Sequence, residues 1–198
     1  MANTAFRFRS RPGQENILEL QTLENFLASI ERRALRMARV RTGNWDEALD
    51  IVQEAMTQLA TRYADKAWEE WRVLFYRILH NKINDYHRRR AVRQKFKGFL
   101  PGLSGSDGEV EEDPIEQVAD FVGHSPYEMM EREQQMKALF HALTTLPKRQ
   151  QEAFMLRCWE GLSTAETAQA MGCGEGSVKT HYFRALQSLR HLLEEHRP

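Results

Sequence analysis

Residues 162–186 read LSTAETAQAMGCGEGSVKTHYFRAL. Ser163 carries the side chain of a helix N-cap, and Glu166 stands three residues later, the spacing of a capping box. The following TAETAQAM is short and Ala-rich, which lets another helix cross it closely, and Gly172 ends it. A last helix is predicted from near Glu175 to about Glu194. Two helices joined by a short turn containing Gly make a helix-turn-helix, whose second helix is shaped to lie in a major groove.

On that last helix Val178, Tyr182, Ala185, Leu186, Leu189 and Leu193 form the inward stripe. At about 100° per residue, Thr180 and Arg184 project nearly opposite, flanked by Ser177 and Phe183, with Lys179 and His181 at the margins. Hydroxyls and cations suit phosphates and base edges, and an outward aromatic suits a thymine methyl. Upstream, Pro147 fits the first turn of a helix that runs to about Glu160 and is ended by Gly161. The bland alternative is a four-helix bundle with a polar surface. Two capping boxes (this one and another upstream, at Asn44 and Glu47), a Gly turn and a cationic outer face favour duplex binding.

Working outward, the 198 residues suffice for one ordinary domain or two small ones, and 41% hydrophobic residues can support compact cores. No run of about 18 apolar residues exists, and the first residues lack the apolar core of a secretory signal. Cys158 and Cys173 form no CxxC pair, so no disulfide framework or zinc site is expected, and a cytoplasmic location is. Net charge is zero, but its distribution is not even. HRRRAVRQKFK, with Arg88, Arg89 and Arg90, holds no carboxylate, and DGEVEEDPIE holds no basic residue.

The pattern is helical almost throughout, giving an all-α class. Leu23 to about Arg41 reads as a helix broken by TGN, after which Asn44 caps the next, with Glu47 completing a second capping box. In that helix Ala48, Ile51, Val52, Ala55, Met56 and Leu59 make one apolar stripe, leaving Asp50, Gln53, Glu54 and Thr57 on the other side. A third helix is predicted from about Trp68 to Arg90, with Trp71, Leu74, Phe75, Ile78, Leu79 and Tyr86 inward. The organisation expected is a disordered basic tail (1–14), a small bundle (15–97), an acidic flexible linker (98–127) and a second small helical domain (128–196).

Residues 146–193, from LPKRQQEAFML to SLRHLL, resemble region 4 of a bacterial sigma factor of the extracytoplasmic-function group. Helix-turn-helix regulators carry a similar motif, and SVKTH resembles theirs too. The first bundle decides between them. WDEALDIVQEAM is similar to region 2.2, through Asp50, Ile51, Val52, Gln53 and Glu54. LFYRILHNKINDYHRRR is similar to regions 2.3 and 2.4, through Tyr76, Arg77, Ile78, Asn81, Asp85 and the arginine run. Two departures stand out: Trp falls at position 71, where the family usually has it at the place of Leu74, and His87 replaces a Leu or aromatic.

The resemblance implies a factor that makes no bonds, needs no cofactor or metal, and lends promoter choice to core RNA polymerase. It implies that Asp50, Gln53 and Glu54 dock on the polymerase. It also implies that Tyr63, Trp68, Arg77, Asn81, Arg88, Arg89 and Arg90 meet the melted −10 element, Tyr63 and Trp68 being equally at home in core packing. Ser177, Lys179, Thr180, His181, Phe183 and Arg184 then read the double-stranded −35 element. Such factors are often held by an anti-sigma protein, though no residue identifies one here. The rival from another class is a regulator whose first bundle senses a ligand. An enzyme is disfavoured: His80, Asp85 and His87 are the only crowded ligand set, and no Gly-rich phosphate loop or nucleophile elbow exists.

Overall fold

The computed structural model describes residues 22–97 and 126–194, seven α-helices in two bundles, with no strand among the described residues. The expected tail at 1–14 and nearly all of the expected linker lie outside them.

Helix α1 (Leu23–Thr42) starts where the Thr22 hydroxyl accepts the Asn25 N–H, and stops at Gly43. Gly43 has φ of 74°, a left-handed cap whose N–H returns to the Arg39 carbonyl. Its inner face buries Phe26, Ile30, Ala34, Met37 and Ala38, mostly spaced three or four residues apart. Helix α2 (Trp45–Arg62) is capped by Asn44, whose side chain accepts the Glu47 N–H at 2.9 Å. The reciprocal half of the expected capping box does not form, because the Asn44 N–H goes to the Thr42 hydroxyl instead. The α2 stripe is buried as expected, with Met56 half-covered at its edge.

Helix α3 (Trp68–Lys97) continues past the expected end at Arg90. Nothing in the sequence stops it there: AVRQKFK contains neither Gly nor Pro, and its residues tolerate a helix. Its Trp71, Phe75, Ile78 and Leu79 fill the space between α1 and α2, with the Phe26 and Trp71 rings 5.9 Å apart. Leu74, expected to face inward, is only half-buried.

The second bundle comprises α4 (Pro126–Thr145), α5 (Lys148–Phe154), α6 (Thr164–Met171) and α7 (Glu175–Leu192). Pro147 is the residue before α5 rather than in its first turn. At the end of α5 one wide turn, Met155–Trp159, bonds five residues back, with the Glu160 N–H on the Met155 carbonyl at 3.1 Å. Gly161 then takes φ of 61° to turn the chain into α6. Leu143, Phe154, Met155, Leu162, Met171, Val178, Ala185 and Leu189 make this core.

The two bundles pack on each other, which the sequence reading of tethered modules does not anticipate. Their buried side chains form one continuous apolar cluster. Helix α3 has a second buried stripe, Tyr76, His80 and Ile83, which meets Met155 and Leu156 of the second bundle. Polar groups accompany it. The Arg39 guanidinium lies 5.6 Å from the Trp45 ring centre and 5.9 Å from that of Phe140, joining α1 to α4. Arg41 donates to the Lys148 carbonyl at 2.7 Å and stands 3.8 Å from the Glu152 carboxylate.

Candidate nucleic-acid interface

The helix-turn-helix is built as its residues dictate. The Ser163 hydroxyl accepts the Glu166 N–H at 3.2 Å, and a Glu166 carboxylate oxygen accepts the Ser163 N–H at 2.7 Å. Hydrogen bonding of the carboxyl itself to the Ser163 side chain first, and to the Ser163 backbone N–H second, holds Glu166 below its usual value, so it stays ionised at the positive end of α6. Gly172, at φ 62°, closes α6, and Gly174 opens α7. Val178, Ala185 and Leu189 anchor α7, and the Tyr182 ring stacks on Phe154 with centres 6.4 Å apart.

With that side fixed, Ser177, Lys179, Thr180, Phe183 and Arg184 are exposed together, while His181 is half-buried. Phe183 is 60% exposed, a large apolar cost for a surface with nothing to cover it. Among the described residues no carboxylate pairs with Lys179 or Arg184, so both cations face solvent unneutralised. The Thr180 hydroxyl donates to the Gly176 carbonyl at 2.9 Å. Leu186, expected in the inward stripe, is 39% exposed, because Ala185 and Leu189 already fill the contact with α5. It extends the apolar edge begun by Phe183.

On α3, Arg77, Asn81 and Arg88 are exposed or partly so and fall within about 40° of one another around the helix. Arg88 pairs with Asp85 at 2.9 Å in an open geometry that a phosphate can displace. Arg89 is exposed, and Arg90 donates to the Tyr86 hydroxyl at 3.2 Å. Tyr63 and Trp68 bracket the α2–α3 turn, both half-buried against the core. The Tyr63 carbonyl accepts the Trp71 indole N–H at 3.1 Å, so this turn is braced by the core rather than loose.

A third surface lies around the bundle. Asp50, Gln53 and Glu54 are exposed on α2 and line a shallow groove shared with Thr57, Gln58, Thr61, Arg62 and Lys82 of α3. Glu54 and Lys82 form a 2.8 Å ion pair across it. Lys82 escaped the sequence reading because its place opposite Glu54 depends on how α2 and α3 cross.

The His80–Asp85–His87 set does not converge. His80 uses both ring nitrogens, accepting from the Asn84 amide at 2.7 Å through Nε2 and donating to Glu152 through Nδ1. Asp85 turns to Arg88, and burial, then the charges of Lys148, Arg41 and Arg90, pull the His87 imidazole down to about 4. No three His, Cys, Asp or Glu side chains among the described residues gather as metal ligands, and no described helix is long and apolar enough to cross a membrane. The buried interface residues Arg41, His80, Glu152 and Glu160 were also missed. One signal existed: Tyr76, His80 and Ile83 repeat at four and three residues, a second inward stripe on α3.

Comparison with known proteins adds to this geometry. Residues 136–189 match the family described as Sigma-70, region 4. An RNA polymerase sigma-E factor of Streptomyces antibioticus is 37% identical over 151 residues, covering 75% of this chain and 71% of that protein. An ECF RNA polymerase sigma factor, SigD of Mycobacterium tuberculosis, is 31% identical over 176 residues, covering 85% of this chain and 75% of that one. Among solved structures, the sigma factor RpoE of Bartonella quintana, crystallised with the anti-sigma factor NepR, superposes with a TM-score of 0.58 at 21% identity. That match covers 88% of this chain and 99% of the other, and is an agreement of fold.

Proposed function

We propose a division of labour for this chain, which belongs to the extracytoplasmic-function (ECF) group of RNA polymerase sigma factors. As a member it directs core RNA polymerase to particular promoters, and the regulator reading with a ligand-sensing bundle is set aside. Within that role, residues 15–97 dock on the polymerase and open the −10 element, residues 128–196 read the −35 element, and residues 98–127 connect them.

The exposed face of α7 carries this reading. Lys179, Thr180, Phe183 and Arg184 stand out together on a helix whose other side is locked to α5. Arg184 reads base edges, Phe183 packs on a thymine methyl, and Ser177 and His181 stay nearer the backbone. Arg77, Asn81, Arg88, Arg89 and Arg90 hold the backbone and bases of the opened strand. Opening costs about 1.4 kcal/mol per base step, and stacking a captured base on an aromatic returns about 1–3 kcal/mol. Tyr63 and Trp68 fit that part only where the α2–α3 turn lets a ring edge out. Asp50, Gln53 and Glu54 offer two carboxylates and an amide on one side of the groove to a basic helical partner on the polymerase. The chain performs no covalent chemistry and works in the cytoplasm, where polymerase and promoter are. An anti-sigma factor, like the one bound to the Bartonella protein, is a candidate partner.

Transcription in vitro with purified core polymerase and a promoter library tests this. New, sequence-selective start sites are expected, and footprints of both elements only when polymerase is present. Protection of a site by the chain alone, with no effect on polymerase, would return the regulator reading.

A further inference from the structure

Helix α3 runs on after its packing ends. Tyr86 is its last buried residue and His87 is half-buried, yet the helix continues to Lys97. From Arg88 to Gln94 all seven residues are exposed, Val92 among them at 48%. That is about two turns, roughly 10 Å of helix with no side against a core. Helices in proteins owe most of their stability to a packed face, and this stretch has none. Its charges work against it as well. Arg89 and Arg93 stand one turn apart and Arg90 three residues before Arg93, spacings at which like charges destabilise a helix. Among the described residues no carboxylate pairs with any of the three, and Arg90 donates to the Tyr86 hydroxyl.

The register of α3 separates these cations from the reading side of the helix. Measured from Ile78, Arg77, Asn81 and Arg88 point at about −100°, −60° and −80° around the axis. Arg89, Arg93 and Arg90 point at about 20°, 60° and 120°. The two sets are centred about 150° apart, so a strand lying on one does not touch the other. They are displaced along the axis too. Their centres, near residues 82 and 91, are about 13 Å apart, the length of about four base pairs of duplex.

The proposed function, on which this inference rests, puts Arg88, Arg89 and Arg90 together on the opened strand, and the geometry divides them. Helix α3 begins at Trp68, beside the turn that offers Tyr63 and Trp68 to a captured base. Opened DNA therefore occupies the earlier part of the helix, as far as Arg88. Leaving the −10 element toward the −35 element, the DNA is paired again, and the exposed end of α3 lies beyond the opened part. A duplex carries one negative charge per about 1.7 Å, denser than a single strand, and suits cations spread over a wide arc.

We propose that the end of α3 is a duplex-holding arm: Arg89, Arg90 and Arg93 grip phosphates of the paired DNA between the two promoter elements, just outside the opened stretch. Such contacts position without reading sequence. They add affinity that is the same for any spacer, and they anchor the duplex about four base pairs from the strand-reading side, which fixes the edge of the opening. Phosphates there also relieve the repulsion between Arg89 and Arg93, so the unpacked turns are firmer with DNA than without it.

Holoenzyme made with the full chain, bound to promoter fragments over a range of salt, tests the arm. Arg93→Gln changes an exposed residue and should leave helix content as it is. Losing one phosphate contact should make log affinity fall less steeply with log salt, by about 0.9 in slope, and adding Arg89→Gln by about as much again. Between about 50 and 200 mM salt the advantage of the native chain over Arg93→Gln should therefore shrink about threefold. A fragment with uncharged methylphosphonate links in the paired stretch beside the −10 element should bind both proteins alike. A single-stranded −10 oligonucleotide should not distinguish Arg93→Gln from the native chain. An unchanged slope, or a difference that persists on the uncharged spacer, overturns the arm. So does weaker association of Arg93→Gln with core polymerase, which would assign the cation to an acidic protein surface, and so does a loss confined to the single-stranded oligonucleotide. Each of these outcomes is compatible with normal initiation by the native chain. Only the absence of that initiation overturns the underlying function.

Discussion

The Thr180 hydroxyl donates to the Gly176 carbonyl at 2.9 Å, one turn back along α7. Its proton is spent inside the helix, so toward a duplex this residue offers a methyl group and an acceptor, never a donor. Thr180→Val keeps the methyl surface and gives up only the acceptor, so it should weaken −35 binding by no more than about 1.5 kcal/mol. Thr180→Asn, which restores a donor but removes the methyl, should weaken it more. Binding of polymerase holoenzyme to promoter fragments differing only in the −35 element measures both.

Arg184 is the opposite case, a guanidinium with no carboxylate partner among the described residues, on the outward face of α7. Arg184→Ala should cost about 1–3 kcal/mol and relax preference at one base position. Association with core polymerase should be unchanged, because Arg184 is far round the helix from the side that packs on α5. A loss of core binding in a pull-down, with −35 preference intact, would place the reading face elsewhere.

Glu54 bonds Lys82 at 2.8 Å with both side chains partly in water, a pair worth less than about 1 kcal/mol. Glu54→Gln should therefore leave the melting temperature nearly unchanged. Its effect should fall on core polymerase affinity, which is expected to drop severalfold and to become less sensitive to salt. Titration of labelled core enzyme at two ionic strengths separates these outcomes.

Elements whose signals are local were legible in the sequence. Ser163, Glu166 and Gly172 define α6 through bonds between near neighbours, and all three act as their spacing predicts. The α2 stripe was legible for the same reason: its period alone says which side meets a core. What failed depends on competition between neighbours for one bond or one place, or on distant partners. The Asn44 box is half-made because Thr42 competes for an N–H, and Leu186 is exposed because Ala185 and Leu189 fill its place. Arg39 and Arg41 lie buried against Phe140, Lys148 and Glu152, which come from about a hundred residues away, and no local pattern marks them. The wide turn after Phe154 has no local signature in MLRCW at all, and it decides where Glu160 points.

The N-cap of α6 gives a stability prediction. Ser163→Ala removes the side-chain acceptor for the Glu166 N–H and the side-chain hydrogen bonding that helps keep the Glu166 carboxyl ionised. The backbone N–H at the same position can still keep its 2.7 Å bond to the Glu166 carboxylate. The cost should be about 1 kcal/mol, near the middle of the range for lost caps, rather than the upper end. For a chain of this size that corresponds to a fall of about 2–4 °C in melting temperature. Ser163→Asp should recover it, since a carboxylate caps as well and suits the positive helix end.

His87 gives the pH prediction. Its imidazole is half-buried beside the Lys148 ammonium of α5, the Arg41 guanidinium of α1 and Arg90 of its own helix, and its folded pKa is about 4 against an ordinary 6.5. Between those values an unfolded chain takes up a proton that the folded one refuses. Stability from this group is therefore complete above about pH 6.5 and is lost progressively as pH falls toward 4. His87→Gln keeps a polar side chain of similar reach and cannot titrate. Urea midpoints measured from about pH 7.5 to about 4.5 should fall more steeply for the native chain than for the variant, with the two curves parting below about pH 6.5. Because Lys148, the strongest of the three charges that depress the group, belongs to α5 across the contact between bundles, the same acid range should loosen that contact, and His87→Gln should blunt the effect too. Parallel pH curves for the two proteins would show that this imidazole stays hydrated and takes its proton at an ordinary pH.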